Sequence, residues 1–271
     1  MSALEEWAEA LASWEIPEAI RVRAPVSPWG FPAEVFVHRA EGALDRAASL
    51  PARRALEVLP GGGSVLDVGA GAGAASLALA GRAGLIVAVD PSEEMLRAFL
   101  AIAERLRVKA VAVTGTWPDA AAEVEAADVV VCHHVLYNIQ ALEPFVRALT
   151  DRAWRRVVIE ITTQHPTAWM SDLWMRFHSL ERPKRPTSDD AARALRELGL
   201  DVHREDHEQP ITAGGFRRRE DQVAFLRKRL CLQPDQDEEL AAALGPSLRR
   251  IAGLWTAQPD RQTHTTLWWD P

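Results

Sequence analysis

With 271 residues, 48% of them hydrophobic and 25% charged, the chain is long enough to bury one large core and reads as globular. A net charge of −7 excludes an overall basic field that would draw it to nucleic acid or an anionic membrane, and two cysteines, Cys132 and Cys231, are too few for a disulfide framework. No apolar run approaches the roughly 18 residues of a spanning helix, and the opening MSALEEWAEALASW is acidic where a signal peptide would be basic, so a cytoplasmic location is expected.

Leu4, Trp7, Ala8 and Leu11 recur at helical intervals and predict an amphipathic helix at the start, which the proline-rich IPEAIRVRAPVSPWGFP then breaks. AEVFVHRAEGALDRAASL reads as a second helix and PARRALEVL as a third, with Pro51 suited to a first helical turn. From Ser64 the pattern changes. SVLDV, GLIVAVD, VKAVAVTG, ADVVVCH and RRVVIEIT are short β-rich apolar runs, separated mostly by helix-like stretches of alanine, leucine and charge. Continuous apolar strands alternating with helices predict a parallel sheet covered on both faces, a doubly wound α/β core.

Beyond Thr162, PTAWMSDLWMRFHSL reads as a helix, TSDDAARALRELGL as a capped helix stopping at Gly199, and LDVHREDHEQ as a strand. REDQVAFLRKRL and DQDEELAAALGPSLRRIAGLW are expected to be helical before a terminal strand THTTLWW. There is no fixed-period repeat and no low-complexity linker. A single domain over 1–271 is expected: a helical cap at 1–60, a cofactor-binding core at 61–165, and helical insertions with terminal strands at 166–271.

The most informative stretch is VLDVGAGAGAAS, Val65 to Ser76. SVLDV predicts a strand and AASLALAGR the helix after it, which places Gly69, Gly71 and Gly73 on the turn between them. Glycine permits positive φ and leaves no side chain between backbone and ligand, while a helix N-terminus offers free N–H groups. Asp90 ends the next strand 21 positions after Gly69, about the separation of an acid that grips ribose hydroxyls. A nucleotide-like ligand is expected. GAGAGA also satisfies a dinucleotide pattern, but Asp67 lies two residues before the first glycine. A carboxylate there repels a pyrophosphate and favours an ammonium or sulfonium.

DVGAGAG, Asp67 to Gly73, resembles the first motif of the class I S-adenosylmethionine-dependent methyltransferases, an acid followed by G-x-G-x-G, at every fixed position. The resemblance covers about residues 55 to 165. It implies a doubly wound, mostly parallel seven-stranded sheet, the Rossmann-like methyltransferase fold, with the helical preamble before it and helical insertions after the fifth strand. It further implies S-adenosylmethionine as cofactor, with Asp67, Gly69, Ala70, Gly71 and Gly73 at the methionine part and Asp90 on both ribose hydroxyls. Pro91, Met95 and His133 join the same surround. In many of these enzymes the third strand ends with an acid near the adenine. Here Thr116 and Trp117 stand at about that place, Thr116 offering a hydrogen bond and Trp117 a face for the purine, with Asp119 as an alternative.

The fourth strand ends in CHHVLYNI, at the carboxyl edge where an open α/β sheet has its ligand cleft. His133, His134 and Tyr137 are therefore the candidate catalytic residues. A histidine there is able to take a proton from an oxygen or nitrogen nucleophile, or to be a packing residue. Methyl transfer needs alignment above all, so a dedicated base is optional. Trp169, Leu173, Trp174 and Phe177 form an apolar stripe read first as core and second as a lid, with Trp29 and Phe31 closing the opposite side. His165 and His178 read as surface or packing residues.

No metal site is expected, since the histidines, Asp172 and Glu181 show no compact ligand spacing. The absence of an N-P-P-Y-like stretch after the fourth strand, with the acidic balance, argues against a nucleic-acid substrate. FRRRE reads as a solvated helix start, and no G-x-S-x-G occurs. The resulting expectation is a methyltransferase acting on a small organic acceptor, a monomer or homodimer without a membrane partner. The alternatives are a nicotinamide-dependent oxidoreductase and a non-catalytic cofactor-binding regulatory module.

Overall fold

The computed structural model describes residues 1–28, 40, 42, 49–210 and 215–271. Five strands, β1 (Gly63–Val68), β2 (Ala83–Asp90), β3 (Lys109–Thr114), β4 (Ala127–His133) and β5 (Ala153–Thr162), pair in parallel. Two later strands, β6 (His203–Pro210) and β9 (Arg261–Trp269), complete a seven-stranded sheet of order β3-β2-β1-β4-β5-β9-β6. β9 runs antiparallel to both of its neighbours, β5 and β6. The strand order reverses between β1 and β4, which opens a crevice at their carboxyl ends.

Why the strands read as continuous apolar runs is visible in their two faces. Val65, Val129, Val131 and Val158 point to one side, where α3 (Leu50–Leu56) and α4 (Glu93–Arg105) supply Ala55, Leu96, Phe99 and Ile102. Leu66, Val130, Cys132, Val157 and Ile159 point to the other, against α1 (Ala3–Ala12), α5 (Leu142–Asp151) and α7 (Ser188–Glu197). The central strands β1, β4 and β5 thus bury both faces, so alternation is absent where it would otherwise mark a solvent side, whereas the edge strand β3 keeps Lys109, Val111 and Thr114 exposed. β6 has covered sheet on one edge only and is correspondingly polar, HREDHEQP.

A third apolar cluster lies apart from the sheet. There α6 (Ser171–His178), α8 (Arg219–Arg229) and α9 (Asp237–Leu244) bury Leu173, Trp174, Val223, Leu226, Leu240 and Leu244. The tryptophan stripe of α6 is the core of this helical addition, with Trp169 and Phe177 packed at its margin. The cap motifs behave as their residues dictate. Ser2 and Glu5 form a capping box at α1, Thr187 and Asp190 another at α7, and Gly199 stands at φ 84° just beyond the end of α7. The short α2 (Glu18–Arg21) follows α1. The second helix expected in the preamble, and Trp29 with Phe31, lie outside the described residues.

Two expectations are corrected. AASLALAGR does not form an α-helix after the glycine turn; only a single 3₁₀ turn, Leu77–Leu79, forms there. From Leu79 the segment bonds three residues back instead of four, Leu79 N–H to Ser76 O, Ala80 N–H to Leu77 O and Arg82 N–H to Leu79 O, while the Ser76 hydroxyl is drawn to Asp67. The stretch ending at Trp255 is likewise helical only to Leu244. Gly245 adopts φ 47°, Pro246 cannot continue the helix, and the chain turns into a hairpin, β7 (Arg249–Ile251) and β8 (Leu254–Thr256). Ala252 and Gly253, both at positive φ, form its two-residue tip.

Gly73 couples the turn to the core. Its φ is 88°, and a Cβ there would stand 2.6 Å from both Leu77 Cδ1 and Phe99 Cδ2. Gly73→Ala is expected to lower the unfolding free energy by about 2 kcal/mol through backbone strain plus overpacking. Gly81→Ala, with nothing within 4 Å of the added carbon, should stay within about 0.5 kcal/mol. Urea titrations of the two variants measure this; equal effects would mean that the fit of Gly73 is not limiting.

Candidate active site

Asp67 is the penultimate residue of β1, paired across Ala88 of β2 and Val131 of β4, so its side chain is held at the crevice by strands on both sides. It is buried. Oδ2 accepts a hydrogen bond from Ser76 Oγ at 2.5 Å, while Oδ1 has no hydrogen-bond partner among the described residues. Desolvation pushes the carboxyl up to about 7, against the opposing hydrogen bonds from Ser76. A buried acceptor of this kind calls for a donor from outside the chain.

The glycine turn follows directly, with Gly69, Gly71 and Gly73 all at positive φ. At Gly69 an added Cβ would meet Val135 Cγ2 at 2.4 Å, so this position tolerates no side chain. Four N–H groups of the turn are used within the chain. Gly69 and Ala70 donate to Val89 O, Gly71 donates to Asp90 Oδ2 at 2.8 Å, and Gly73 donates to Ala70 O. With these donors used internally and a carboxylate beneath, the turn is a poor cradle for a diphosphate.

Asp90 closes β2 and is held by two backbone donors, Gly71 N–H on Oδ2 and Ser92 N–H on Oδ1 at 2.9 Å. Each oxygen keeps a second lone pair for another donor. Ser92 also caps α4 by accepting from Met95 N, which fixes Met95 at the same edge with its side chain buried. Pro91 between them is exposed and Ala70 is buried.

The next two residues separate. Thr116 is exposed, with its hydroxyl 3.3 Å from Asp119 Oδ2. Trp117 is turned inward: it is buried in the core cluster with Tyr137 and Phe145, and its indole N–H donates to Phe145 O at 3.2 Å. An indole so committed packs the sheet against α5 and does not offer a free face for a purine, which corrects that expectation.

At the end of β4 the three candidate catalytic residues also part. Tyr137 is buried, stacks on Trp7 at 5.7 Å, and donates its hydroxyl to Thr162 O at 2.8 Å. Desolvation drives its ionisation further up from the ordinary tyrosine value. It is a core residue that pins the segment after β4, not a proton carrier. His133 has a buried, unpartnered Nε2 among the described residues, and desolvation pushes its pKa down to about 4, so it is a neutral ring at physiological pH. His134 has the exposed ring of the pair, and its backbone is left-handed, φ 61°, an unfavourable state for a residue with a Cβ. A 2.7 Å hydrogen bond from its N–H to Glu160 O holds it there, and its Nε2 lies 3.2 Å from Glu160 Oε1.

Glu160 was not among the residues singled out by motif. It sits in β5 opposite His133, its side chain buried. Burial alone would raise its pKa, but hydrogen bonds from His134 and His207 outweigh that and hold it well below the usual carboxylate range. His207 of β6 and His264 of β9 approach from the other side, with Gln209 donating to Oε2 at 3.1 Å. The sequence signal was a lone acid inside the apolar run VVIEIT and a lone histidine inside THTTLWW.

His165 and His178 pack. His165 stacks on Trp14 at 3.8 Å, and His178 places Nε2 2.6 Å from Leu230 O.

Comparison with known proteins agrees with this geometry. No curated protein sequence matches the chain. Among solved structures, the YcgJ protein from Bacillus subtilis is similar at a TM-score of 0.50 and 15% identity, over 86% of this chain and 97% of that one. Magnesium protoporphyrin IX methyltransferase (ChlM) from Synechocystis PCC 6803, solved with bound SAH, is similar at 0.50 and 16%, over 84% of each chain. At these identities the likeness speaks for the fold. The model of the methyltransferase domain family matches residues 37–205, more than half of the chain, across the acid-glycine turn, Asp90 and the end of β4. The chain therefore belongs to the methyltransferase domain family, whose members take S-adenosylmethionine as methyl donor, and is an S-adenosylmethionine-dependent methyltransferase.

Proposed function

We propose that the chain transfers a methyl group to an oxygen, nitrogen or carbon atom of a small organic acceptor. The observation that carries this reading is the polar patch at the ends of β4 and β5, where one buried carboxylate is ringed by three imidazoles. A patch of that size matches one polar group on a small molecule. A polynucleotide would bring a row of phosphates to a chain of net charge −7, with repulsion rather than counterion release.

The orphaned Asp67 Oδ1 and the tightly held Asp90 fit the donor's two polar ends. Asp67 accepts from the ammonium of the methionine part, and the free lone pairs of Asp90 take the ribose hydroxyls. When bound, S-adenosylmethionine supplies a methyl carbon made electrophilic by its sulfonium leaving group. The chain's own contribution is placement. β1 and β2 hold Asp67 and Asp90 on one side of the crevice, and β4 and β5 hold His134 and Glu160 on the other. Tyr137 anchors the segment between them. Aligning the acceptor atom with the methyl carbon supplies most of what the reaction requires.

Titration calorimetry should show one S-adenosylhomocysteine per chain, with Asp90→Ala weakening binding by roughly thirtyfold, about 2 kcal/mol for lost charge-assisted hydrogen bonds. NAD should leave the melting temperature unchanged; a rise with NAD and none with S-adenosylhomocysteine would reverse the assignment of the cleft.

For the acceptor, labelled methyl donor incubated with a cell extract should deliver label to the low-mass fraction. Label in the RNA fraction instead would overturn the small-molecule reading.

Asp67 also sets a pH dependence. Its folded-state pKa is raised, so the stability associated with its protonated form is fully present below the unfolded-state value of 3.8 and is lost as pH rises through about 7. Without cofactor, the unfolding free energy of wild type should fall by about 2 to 3 kcal/mol relative to Asp67→Asn between pH 5 and pH 8. The same variant should bind cofactor more weakly at pH 8. Parallel stability curves for the two proteins would show the carboxylate to be already ionised at no cost.

A further inference from the structure

The geometry points to a site for one divalent first-row transition-metal ion, held by His134 Nε2, Glu160 Oε1 and His264 Nδ1. These three atoms lie within 4.8 Å of one another, on residues that the sequence separates by up to 130 positions. His134 to Glu160 is 3.2 Å and His264 to Glu160 is 3.8 Å. Ligand atoms at about 2.0 to 2.2 Å from one ion stand roughly 3 to 3.6 Å apart, so only small side-chain shifts separate this arrangement from a coordination sphere.

Three further features support a built site over a chance meeting of polar groups. First, the other oxygen of Glu160 is already taken: Gln209 Nε2 donates to Oε2 at 3.1 Å, and His207 Nε2 lies 3.2 Å from it. That is the outer support that orients a monodentate carboxylate ligand and leaves Oε1 for the ion. Second, His134 is held in the left-handed region by its N–H to the carbonyl of the same Glu160, and this backbone state brings its ring to the carboxylate. Third, the members come from the loop after β4, from β5 and from β9, adjacent elements of a rigid sheet, so their spacing is fixed by strand pairing. Two nitrogens and one carboxylate oxygen suit zinc or another first-row divalent ion better than magnesium or calcium, which seek oxygen ligands.

Three protein ligands leave coordination positions open, and the solvent side of the cluster is the His134 side, where that ring is 45% exposed while His264 and Glu160 are buried. There the ion takes an oxygen or nitrogen donor of the acceptor. This role rests on the small-molecule reading above; the ion site itself does not.

The test uses the untagged full chain after chelator treatment. Zn²⁺ titration calorimetry should give one ion per chain, and Co²⁺ should give the visible absorption of a four- or five-coordinate nitrogen and oxygen site. His134→Ala and Glu160→Gln should each weaken Zn²⁺ binding at least tenfold. His203→Ala, a histidine stacked on Trp268 outside the cluster, should leave it unchanged. Melting curves check that each variant is folded, and if Glu160→Gln is not, the more exposed His134→Ala carries the comparison. Absence of stoichiometric Zn²⁺ and of the Co²⁺ spectrum would overturn the site, as would binding that His134→Ala leaves intact. S-adenosylhomocysteine affinity, measured on the same samples, reports separately on the methyltransferase reading.

Discussion

A carboxylate buried at the end of a wholly buried strand is the constraint around which the cofactor side is arranged. Raising Asp67 from 3.8 to about 7 corresponds to about 4 kcal/mol against its ionised form. The hydroxyl and the backbone N–H of Ser76 offset only part of this. The glycine turn is shaped accordingly: it folds its own N–H groups onto Val89 and Asp90, and so leaves the cation-seeking oxygen as the unsatisfied group at that point of the crevice. A donor ligand that carries positive charge completes the arrangement, and a diphosphate would worsen it.

The second buried acid is treated differently. Glu160 lies one strand beyond β4 and is surrounded by imidazoles, so it stays ionised despite burial, whereas Asp67 does not at low pH. The contrast follows from neighbours and not from depth. Asp67 stands near the carboxyl end of β1, which flanks the reversal of strand order, and Glu160 near that of β5, one strand beyond the other flank. One acid is thereby left short of a donor, and the other is already surrounded by them.

Much of the candidate cofactor site was legible because it is local. Asp67, the three glycines and Asp90 lie within 24 residues, and each is recognised by a rule about backbone reach or charge. The central strands were equally plain, since both of their faces are covered. What misled were properties that depend on distant partners. AASLALAGR has the composition of a helix, yet its Ser76 is bound to Asp67, nine residues back, and only one 3₁₀ turn follows. Trp117 stands where an adenine contact belongs by position, but Phe145, 28 residues on, offers its indole a carbonyl in the core. Tyr137 is near the chemistry in sequence, and Thr162 claims its hydroxyl.

The cluster around Glu160 was the least legible, and topology explains why. β9 is the last strand in the chain, yet it inserts between β5 and β6 and runs against both. An antiparallel strand in that place carries His264 beside Glu160 across 104 residues of sequence, and β6 then brings His207 into line with His264. No ligand motif with short spacing is able to announce such a cluster. The only local trace is that polar residues occupy strand positions where burial favours aliphatic ones, at Glu160 and at His264 in β5 and β9. A charged or imidazole side chain in the middle of a covered strand is costly unless its neighbours in the sheet satisfy it. Its presence in the sequence is therefore evidence that such neighbours exist, even before their identity is known.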